Sequence, residues 1–344
     1  MNENLPLVSI AIPVYNQEIS YFKEALHSAL NQTYPHIEVV VSDNHSTNGV
    51  VEFLAEFTHP RLRVTKPDTF LSMLNNFSFA GDQVSGEFFT FLSSDDWLYP
   101  DFIEFAVLPM LQNERVILSY GEVESVDFRD LTSVRYYMNE RETGYRTARE
   151  SFNELLNARM FAWVPGGLMR TAAYNKIKHI DPRLNYINDT YLLFKLHETG
   201  DVFYTKKPAA KFRLWTEKDG KVGTNRLLDT VDDFALISDT IERSEALMKL
   251  ADSPLVVKQW RAYQAKRLDI EFLVRFAVSE ISREVYAKGL RRIETTLHGG
   301  DLVHRAAKWT SNRPQAFLMR PILEGMYVVY LKIQRVFKRV VFLR

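Results

Sequence analysis

Two short runs of apolar and β-branched residues near the N-terminus restrict the chain to few folds. Val8–Val14 reads VSIAIPV and Ile37–Val41 reads IEVVV, and such runs are typical of strands buried on both faces of a sheet. Ser20 can begin a helix between them, and Pro35 ends it. Apolar residues recur on one face of that helix, namely Phe22, Ala25, Leu26, Ala29 and Leu30. Two buried strands joined by a helix predict a parallel sheet.

The same alternation continues along the first two thirds of the chain. It predicts a helix over residues 50–57 and strands over 62–65 and 87–92, whereas 71–84 is less regular. Later segments repeat the pattern: strands at 116–120, 122–126 and 202–204, and helices at 151–157 and from 189 to near 200. We therefore expect an α/β domain with a mostly parallel sheet and helices on both faces.

The composition changes at residues 216–225, which read TEKDGKVGTN. This polar segment with two glycines is a credible domain boundary. Beyond it, long helical patterns cover about 226–250, 255–281 and 283–298, and a last one starts near residue 315. The prediction is an α/β domain over residues 1–220 and a helical C-terminal region over 226–344.

The last helical pattern is basic and amphipathic. Residues 319–344 alternate apolar and aromatic residues with lysine and arginine, and Glu324 is the one acid among them. Such a helix is typical of an interfacial membrane helix. Docking on its own domain or on a second copy of the chain is the equally weighted alternative, so a homo-oligomer through the C-terminal helices stays open.

Composition and charge exclude several functional classes. The formal net charge is +0, which gives no indication of a nucleic-acid partner. The absence of cysteine excludes disulfides, thiolate metal sites and cysteine nucleophiles, and it is compatible with a reducing cytosol. The N-terminus has no signal-peptide pattern, and no run approaches the ~18 apolar residues of a membrane span. We expect a cytoplasmic protein, with peripheral attachment to the inner membrane surface through the basic helix as the open alternative.

Two adjacent carboxylates follow one of the predicted buried strands. In FLSSDDWLYPD, residues 91–101, the apolar run stops at Asp95 and Asp96. Like charges side by side raise the cost of ionising each other, so a cation is expected there. Mg²⁺ or Mn²⁺ prefers oxygen ligands and commonly binds one or two carboxylates together with a diphosphate. Capping of the next helix would explain one acid but not both.

Four segments together resemble the inverting family-2 glycosyltransferases of bacterial polysaccharide type, which have the GT-A fold. They are VSIAIPVYNQ, VVVSDNHSTNG, FLSSDDWLYPD and INDTYLLFKLHETGDVFY, in this order, and the resemblance covers residues 7–215. It implies a Rossmann-like mixed, mostly parallel sheet, a nucleotide-sugar donor and a Mn²⁺ or Mg²⁺ cofactor.

The resemblance also implies a nucleotide site. The residues that match it are Pro13, Tyr15, Asn16, Asp43, Asn76, Ser94, Asp95 and Arg213. Asp43 would accept a hydrogen bond from the base, and its alternative is an Asx turn that closes a strand. For Asn76, a packing or turn role is the alternative. Arg213 is expected to hold the diphosphate, and its alternative is an ordinary arginine on the surface. Asp95 and Asp96 would hold the metal, although Ser93 stands where the family's first aspartate is common.

The remaining implied roles concern chemistry and the acceptor. Asp189 is the expected catalytic base, which would remove the proton of the acceptor hydroxyl as that hydroxyl attacks the anomeric carbon. Asn188 replaces the glutamate usual before it, and an acid that favours the helix N-terminus is the alternative. Trp163, Gly166 and Gly167 resemble the acceptor segment. A tryptophan buried in the core is the alternative for Trp163.

These observations lead to one main functional prediction and two alternatives. The main one is a metal-dependent transferase that moves a sugar from a nucleoside diphosphate, with UDP favoured, to a saccharide or lipid-linked saccharide in surface polysaccharide or lipopolysaccharide synthesis. A nucleotidyltransferase would need a glycine- and lysine-bearing loop after the first strand, and VYNQEIS has neither residue. A catalytically silent scaffold that binds a partner or a membrane is the other alternative.

Overall fold

The computed structural model describes residues 5–127, 133–135, 142–157, 164–177, 180–214, 224–277, 281–300, 304–305 and 307–308. Trp163, most of the predicted boundary at 216–225 and the basic segment 319–344 lie outside the described residues. The predictions for these three segments therefore stay predictions.

The described strands form one mixed sheet. They are β1 Val8–Val14, β2 Ile37–Asp43, β3 Leu62–Thr65, β4 Phe88–Phe91, β5 Trp97–Leu98, β6 Val116–Asp127, β7 Ser133–Arg135, β8 Gly144–Arg146, β9 Gly167–Arg170 and β10 Asp201–Leu214. Their order is β3-β2-β1-β4-β9-β6-β10-β5, with β7 beside β6 and β8 beside β10. The first four strands in this order are parallel, and β9 is antiparallel to both of its neighbours.

Helices connect these strands and continue beyond them. They are α1 Ile19–Leu30, α2 Gly49–Glu56, α3 Met73–Asp82, α4 Phe102–Gln112, α5 Ala148–Leu156, α6 Thr171–Lys176, α7 Asn188–Leu196, α8 Thr224–Arg243, α9 Glu245–Leu250, α10 Pro254–Ala277 and α11 Arg283–Thr296. The predicted fold class is confirmed: a mostly parallel sheet with flanking helices, followed by helices. Among the described helices, none has the length and hydropathy that a membrane crossing requires.

Strand β1 is the centre of the parallel part of the sheet. All of its residues are buried, and it pairs with β2 on one side and with β4 on the other. Helix α1 covers this part of the core with the face that the sequence predicts, because Phe22, Leu26 and Leu30 are all buried there. Burial on both faces explains why β1 and β2 read as continuous apolar runs.

Several elements differ from the sequence-based expectation, among them α3, β9, β10 and the helix predicted over about 226–250, which is divided into α8 and α9. Helix α3 forms where residues 71–84 looked irregular, and Ser72 caps it by accepting a hydrogen bond from the Asn75 backbone N–H. Strand β10 continues to Leu214 instead of ending at residue 204, with a register shift before Pro208. Strand β9 was not predicted, because four residues carry too little periodicity.

The contacts divide the chain into two compact units. The first comprises Met1–Leu184, Asn188–Gly220 and Glu245–Asp252, and the second comprises Asn185–Ile187, Lys221–Ser244 and Ser253–Arg344. Side chains explain why α9 belongs to the first unit. Asn153 on α5 donates to the Leu250 carbonyl and accepts from the Asp252 N–H, both at 2.8 Å.

Within the second unit, Asp233 on α8 holds the short segment Asn185–Ile187. Its carboxylate is fully buried. One oxygen accepts from the backbone N–H and the side-chain amide of Asn185, and the other accepts from the Tyr186 and Ile187 N–H groups at 2.7 and 3.0 Å. A buried carboxylate loses its hydrogen bonds with water, and these N–H groups replace them.

Replacing Asp233 should therefore destabilise the protein. We expect Asp233→Ala to lower the free energy of unfolding by about 3 kcal/mol, because buried N–H groups lose a charged acceptor. Asp229→Asn on the same helix is the matched control, for which we expect a change below about 0.5 kcal/mol. Urea unfolding followed by circular dichroism measures both, and equal effects would contradict the role of Asp233.

Candidate active site

The predicted site lies at the carboxyl ends of β1, β2 and β4. Val14 at the end of β1 pairs with Asp43 at the end of β2. Two further backbone hydrogen bonds follow the last strand pairs: the Asn44 N–H donates to the Val14 carbonyl and the Leu92 N–H donates to the Ala11 carbonyl, both at 2.9 Å. The three loops that follow these strands therefore begin side by side. In open α/β sheets this edge is where ligands bind.

Asn16 joins the loop after β1 to the loop after β2. Its N–H donates to the Ser46 hydroxyl at 3.0 Å, and its side-chain oxygen accepts from the Thr47 N–H at 2.7 Å. Its φ of 47° is left-handed, a conformation that asparagine tolerates better than most residues. Asn16 thus fixes the two loops relative to each other through its backbone and its side chain, and its role in a nucleotide pocket stays a prediction.

Asp43 makes a local contact of the kind that its alternative role predicts, although it reaches one residue further than an Asx turn. One carboxylate oxygen accepts from the Ser46 N–H, three residues along the chain, at 3.0 Å. The side chain is almost completely buried. The turn holds the carboxylate at the end of β2, and the contact with a base stays a prediction.

Asn76 on α3 is also engaged within the protein. Its side-chain oxygen accepts from the Ser42 hydroxyl at 2.6 Å, and its amide donates to the Ser42 carbonyl at 3.3 Å. Asn76 is buried. Its side chain therefore holds Ser42 near the end of β2. These contacts favour the packing alternative over direct nucleotide contact.

Two exposed aromatic rings stand at this edge of the sheet. Tyr15 is 50% exposed and Phe70 is 59% exposed, and their ring centroids are 4.9 Å apart in an edge-to-face arrangement. Asn44 fixes the loop that carries Phe70 by two hydrogen bonds with the Leu71 backbone. The sequence analysis identified Tyr15 but missed Phe70. The sign of Phe70 in the sequence was a single phenylalanine within a mostly polar loop.

The adjacent carboxylates lie just beyond β4, and their environments differ. Ser94 donates to the Gln17 side chain at 3.2 Å, which ties this turn to the loop after β1. Asp96 is 1% exposed, and one of its oxygens accepts from the Arg213 N–H at 2.8 Å. Burial raises the pKa of Asp96 well above its usual value, and the charge of Asp95 raises it further. The Arg213 N–H, the Ser93 hydroxyl and the Arg213 charge lower it only in part.

These residues fit a divalent cation. The second oxygen of Asp96 is buried and has no hydrogen-bond partner among the described residues. A cation would supply the missing partner and stabilise both negative charges. In the described part of the chain no three histidine, aspartate or glutamate residues cluster as a metal site. The remaining ligands would therefore come from phosphate and water, as is common for Mg²⁺.

Arg213 is not the surface residue that its alternative interpretation predicted. Its side chain is 3% exposed, and its guanidinium lies 3.9 Å from the ring centre of Tyr21 and 5.0 Å from that of Trp97. The guanidinium donates to the Asp95 carbonyl at 2.9 Å and to the Glu24 carboxylate at 2.7 Å. These contacts differ from the expected diphosphate contact, and the sequence offered no sign of Glu24.

Asp189 lies in the first turn of α7, as the sequence predicts. Its carboxylate accepts from the Thr190 N–H at 2.6 Å. Burial raises the pKa of Asp189 above its usual value, and hydrogen bonds from Thr190 oppose that shift. A carboxylate with a raised pKa holds a proton more strongly, which suits a general base.

The predicted acceptor glycines lie between β4 and β6. Gly166 ends a 3₁₀ turn, Gly167 begins β9, and both are buried. A Cβ atom on Gly166 would come within 2.5 Å of the Val123 side chain. The absence of a side chain is thus required by packing against β6, and contact with an acceptor stays a prediction, as does the role of Trp163.

Comparisons with known proteins agree with this geometry. The family model "Glycosyl transferase family 2" matches residues 9–177. An uncharacterized glycosyltransferase of Rickettsia felis is 31% identical over 261 residues, which are 74% of this chain and 42% of that protein. One from Rickettsia prowazekii is 25% identical over 315 residues, 86% of this chain and 96% of the relative. The chain thus spans less than half of the Rickettsia felis relative.

Solved structures show the same fold. Residues 1–349 of S. aureus TarS, crystallised in complex with UDP-GlcNAc, superpose with a TM-score of 0.58 and 18% identity. The superposition covers 86% of this chain and 91% of the TarS fragment. The range matched by the family model, residues 9–177, contains the ends of β1 and β2, the aspartate turn and the two glycines. Residues 9–177 therefore form a domain of glycosyl transferase family 2, and the superposition shows that this part of the chain has the GT-A fold.

Proposed function

We propose that this protein is an inverting, metal-dependent glycosyltransferase that moves a sugar from a nucleoside diphosphate, UDP being favoured, to a saccharide or lipid-linked saccharide hydroxyl. The observation that carries the proposal is the aspartate turn after β4. There Asp96 is buried and keeps one oxygen without a hydrogen-bond partner among the described residues. A carboxylate in that state is suited to a cation that arrives with its substrate.

The donor would bind across the ends of β1 and β2. The exposed rings of Tyr15 and Phe70 offer apolar surface for a base. Asp43 can accept from a base N–H with the oxygen that does not bond the Ser46 N–H. The likeness to a protein crystallised with UDP-GlcNAc supports UDP as the preferred carrier.

Mn²⁺ or Mg²⁺ would be held by Asp95 and Asp96. When bound, such a cation stabilises the negative charge that develops on the leaving diphosphate. Ser94 orients the turn through Gln17, and Asn16 keeps the neighbouring loop in place. The protein's own contribution is thus a turn held in one conformation before the donor binds.

Asp189 would act as the general base. It would accept the proton of the acceptor hydroxyl while that oxygen attacks the anomeric carbon from the face opposite the diphosphate. Its raised pKa strengthens it as a base. No covalent intermediate with the enzyme is required, since one displacement inverts the anomeric centre.

The acceptor and the cellular place follow from the family resemblance and the tail sequence. Surface polysaccharide or lipopolysaccharide synthesis on the cytoplasmic side is the setting that we propose. The basic residues of 319–344 would attract anionic lipid, each contributing about 1 kcal/mol near the surface. A silent scaffold remains the second candidate, and its support is Ser93 in place of an aspartate.

Nucleotide binding is the first test. We expect one of UDP, TDP, GDP and CMP, with UDP favoured, to raise the melting temperature in the presence of Mn²⁺ but not in EDTA. A ligand at ~100 times its Kd stabilises by about 2.7 kcal/mol, which a thermal-shift assay detects. No shift with any of the four would refute the donor site and favour the scaffold.

The aspartate turn makes a second prediction. Asp95→Asn and Asp96→Asn should each abolish the Mn²⁺-dependent part of UDP binding, because amide groups are poor ligands for hard cations in place of carboxylates. Asp96→Asn should not lower the melting temperature without metal, since it removes a buried charge. Calorimetric titration measures binding. Unchanged Mn²⁺ dependence in both variants would exclude the metal site.

The base makes a third prediction. Asp189→Asn should leave UDP binding intact and lower turnover by about 100-fold or more. Because the pKa of Asp189 is raised, wild-type turnover should increase with pH above the ordinary aspartate range and then level off. The variant should lack this rise. Loss of UDP binding in Asp189→Asn would contradict a role confined to the base.

A further inference from the structure

We propose that Arg213 is the positioning residue of the aspartate turn: it holds Asp95 and Asp96 in the conformation that receives the cation, and it does not bind the diphosphate. The inference rests on the proposed function, since it assigns the part of the site that prepares the metal ligands. The contacts of Arg213 with the turn carry it.

Arg213 contacts both aspartates, through different groups. Its backbone N–H donates to the Asp96 carboxylate at 2.8 Å, and its side-chain Nε donates to the Asp95 carbonyl at 2.9 Å. One residue therefore fixes the side chain of one aspartate and the backbone of the other. Neither contact involves an atom of a ligand, so both exist before any nucleotide binds.

The surroundings of the guanidinium keep it in that position. It is stacked between the rings of Tyr21 on α1 and Trp97 on β5. Its Nη2 donates to Glu24, also on α1, whose side chain is 58% exposed. Strand β10 brings Arg213 there, because Lys211 pairs with Trp97 in the antiparallel ladder immediately beyond the aspartates.

Electrostatics favour the same role. Two adjacent carboxylates, one of them buried, need a nearby positive charge in the absence of a cation. The Arg213 guanidinium supplies one, since its Nε lies 2.9 Å from the Asp95 carbonyl. The guanidinium is buried and two of its nitrogens already donate within the protein, to the Asp95 carbonyl and to Glu24, which leaves little of it available to a diphosphate. A planar, always charged side chain that donates in several directions suits a fixed anchor.

Amide hydrogen exchange without ligand tests the position directly. In Arg213→Met, we expect exchange in residues 93–99 to become about tenfold faster, because the turn loses a side-chain hydrogen bond and a buried charge. Residues 8–14 in β1 should keep wild-type protection. Lys211→Met is the matched control, since Lys211 lies on the same strand and near the same Trp97 ring, but its ion pair, at 3.8 Å, is with Glu124. We expect little change there.

Calorimetric titration of UDP then separates positioning from phosphate binding. In Arg213→Met, we expect the Mn²⁺ concentration for half-maximal UDP binding to rise by about 10-fold or more, as for other residues that orient metal ligands. At saturating Mn²⁺ the UDP affinity should match wild type, because the phosphate contacts are intact. Excess Mn²⁺ should restore binding, and Arg213→Lys, which keeps the charge, should be intermediate.

Three results would overturn the proposal. The first is wild-type exchange in residues 93–99 of Arg213→Met, and the second is an equal effect in Lys211→Met. The third is a loss of UDP affinity in Arg213→Met that saturating Mn²⁺ does not restore, which would make Arg213 a phosphate ligand. Absence of nucleotide binding in the wild type would instead refute the proposed function. The exchange measurement uses no ligand, so it still decides whether Arg213 holds the turn.

Discussion

The parallel pairing of β1 with β2 and β4 is the constraint on which the site depends. Backbone hydrogen bonds set the register of these strands, and the register decides which loop residues begin beside one another. Asp43 and the aspartate turn are far apart in the sequence. They lie at one edge of the sheet because the three strands run in the same direction.

A second constraint is the accommodation of negative charge. The turn after β4 places Asp96 in a position almost without solvent, where ionisation is unfavourable. The fold compensates in part with the N–H and the guanidinium of Arg213, and it leaves one Asp96 oxygen without a hydrogen-bond partner among the described residues. Incomplete compensation of this kind is common at functional sites, where a ligand supplies what is missing.

Local patterns predicted the elements whose signals are long or strongly apolar. Strands β1 and β2 and the buried face of α1 were correct because burial on one or both faces leaves a direct record in the residue types. Helix α3 and strand β9 were missed because cap chemistry and neighbouring strands stabilise them more than their own periodicity does. The extension of β10 past Pro208 was missed because proline usually ends a strand.

The residues of the candidate site also fall into those that local sequence patterns predicted and those that depend on distant contacts. The sequence alone determined that two carboxylates follow a buried strand, that an acid begins α7 and that the motifs match one family, because these features are local. Only the tertiary structure decided that Asn76 supports Ser42, that Phe70 stands beside Tyr15 and that Arg213 lies between Tyr21 and Trp97. Those partners are distant in the chain, and only the pairing of strands and the packing of α1 and α3 bring them together.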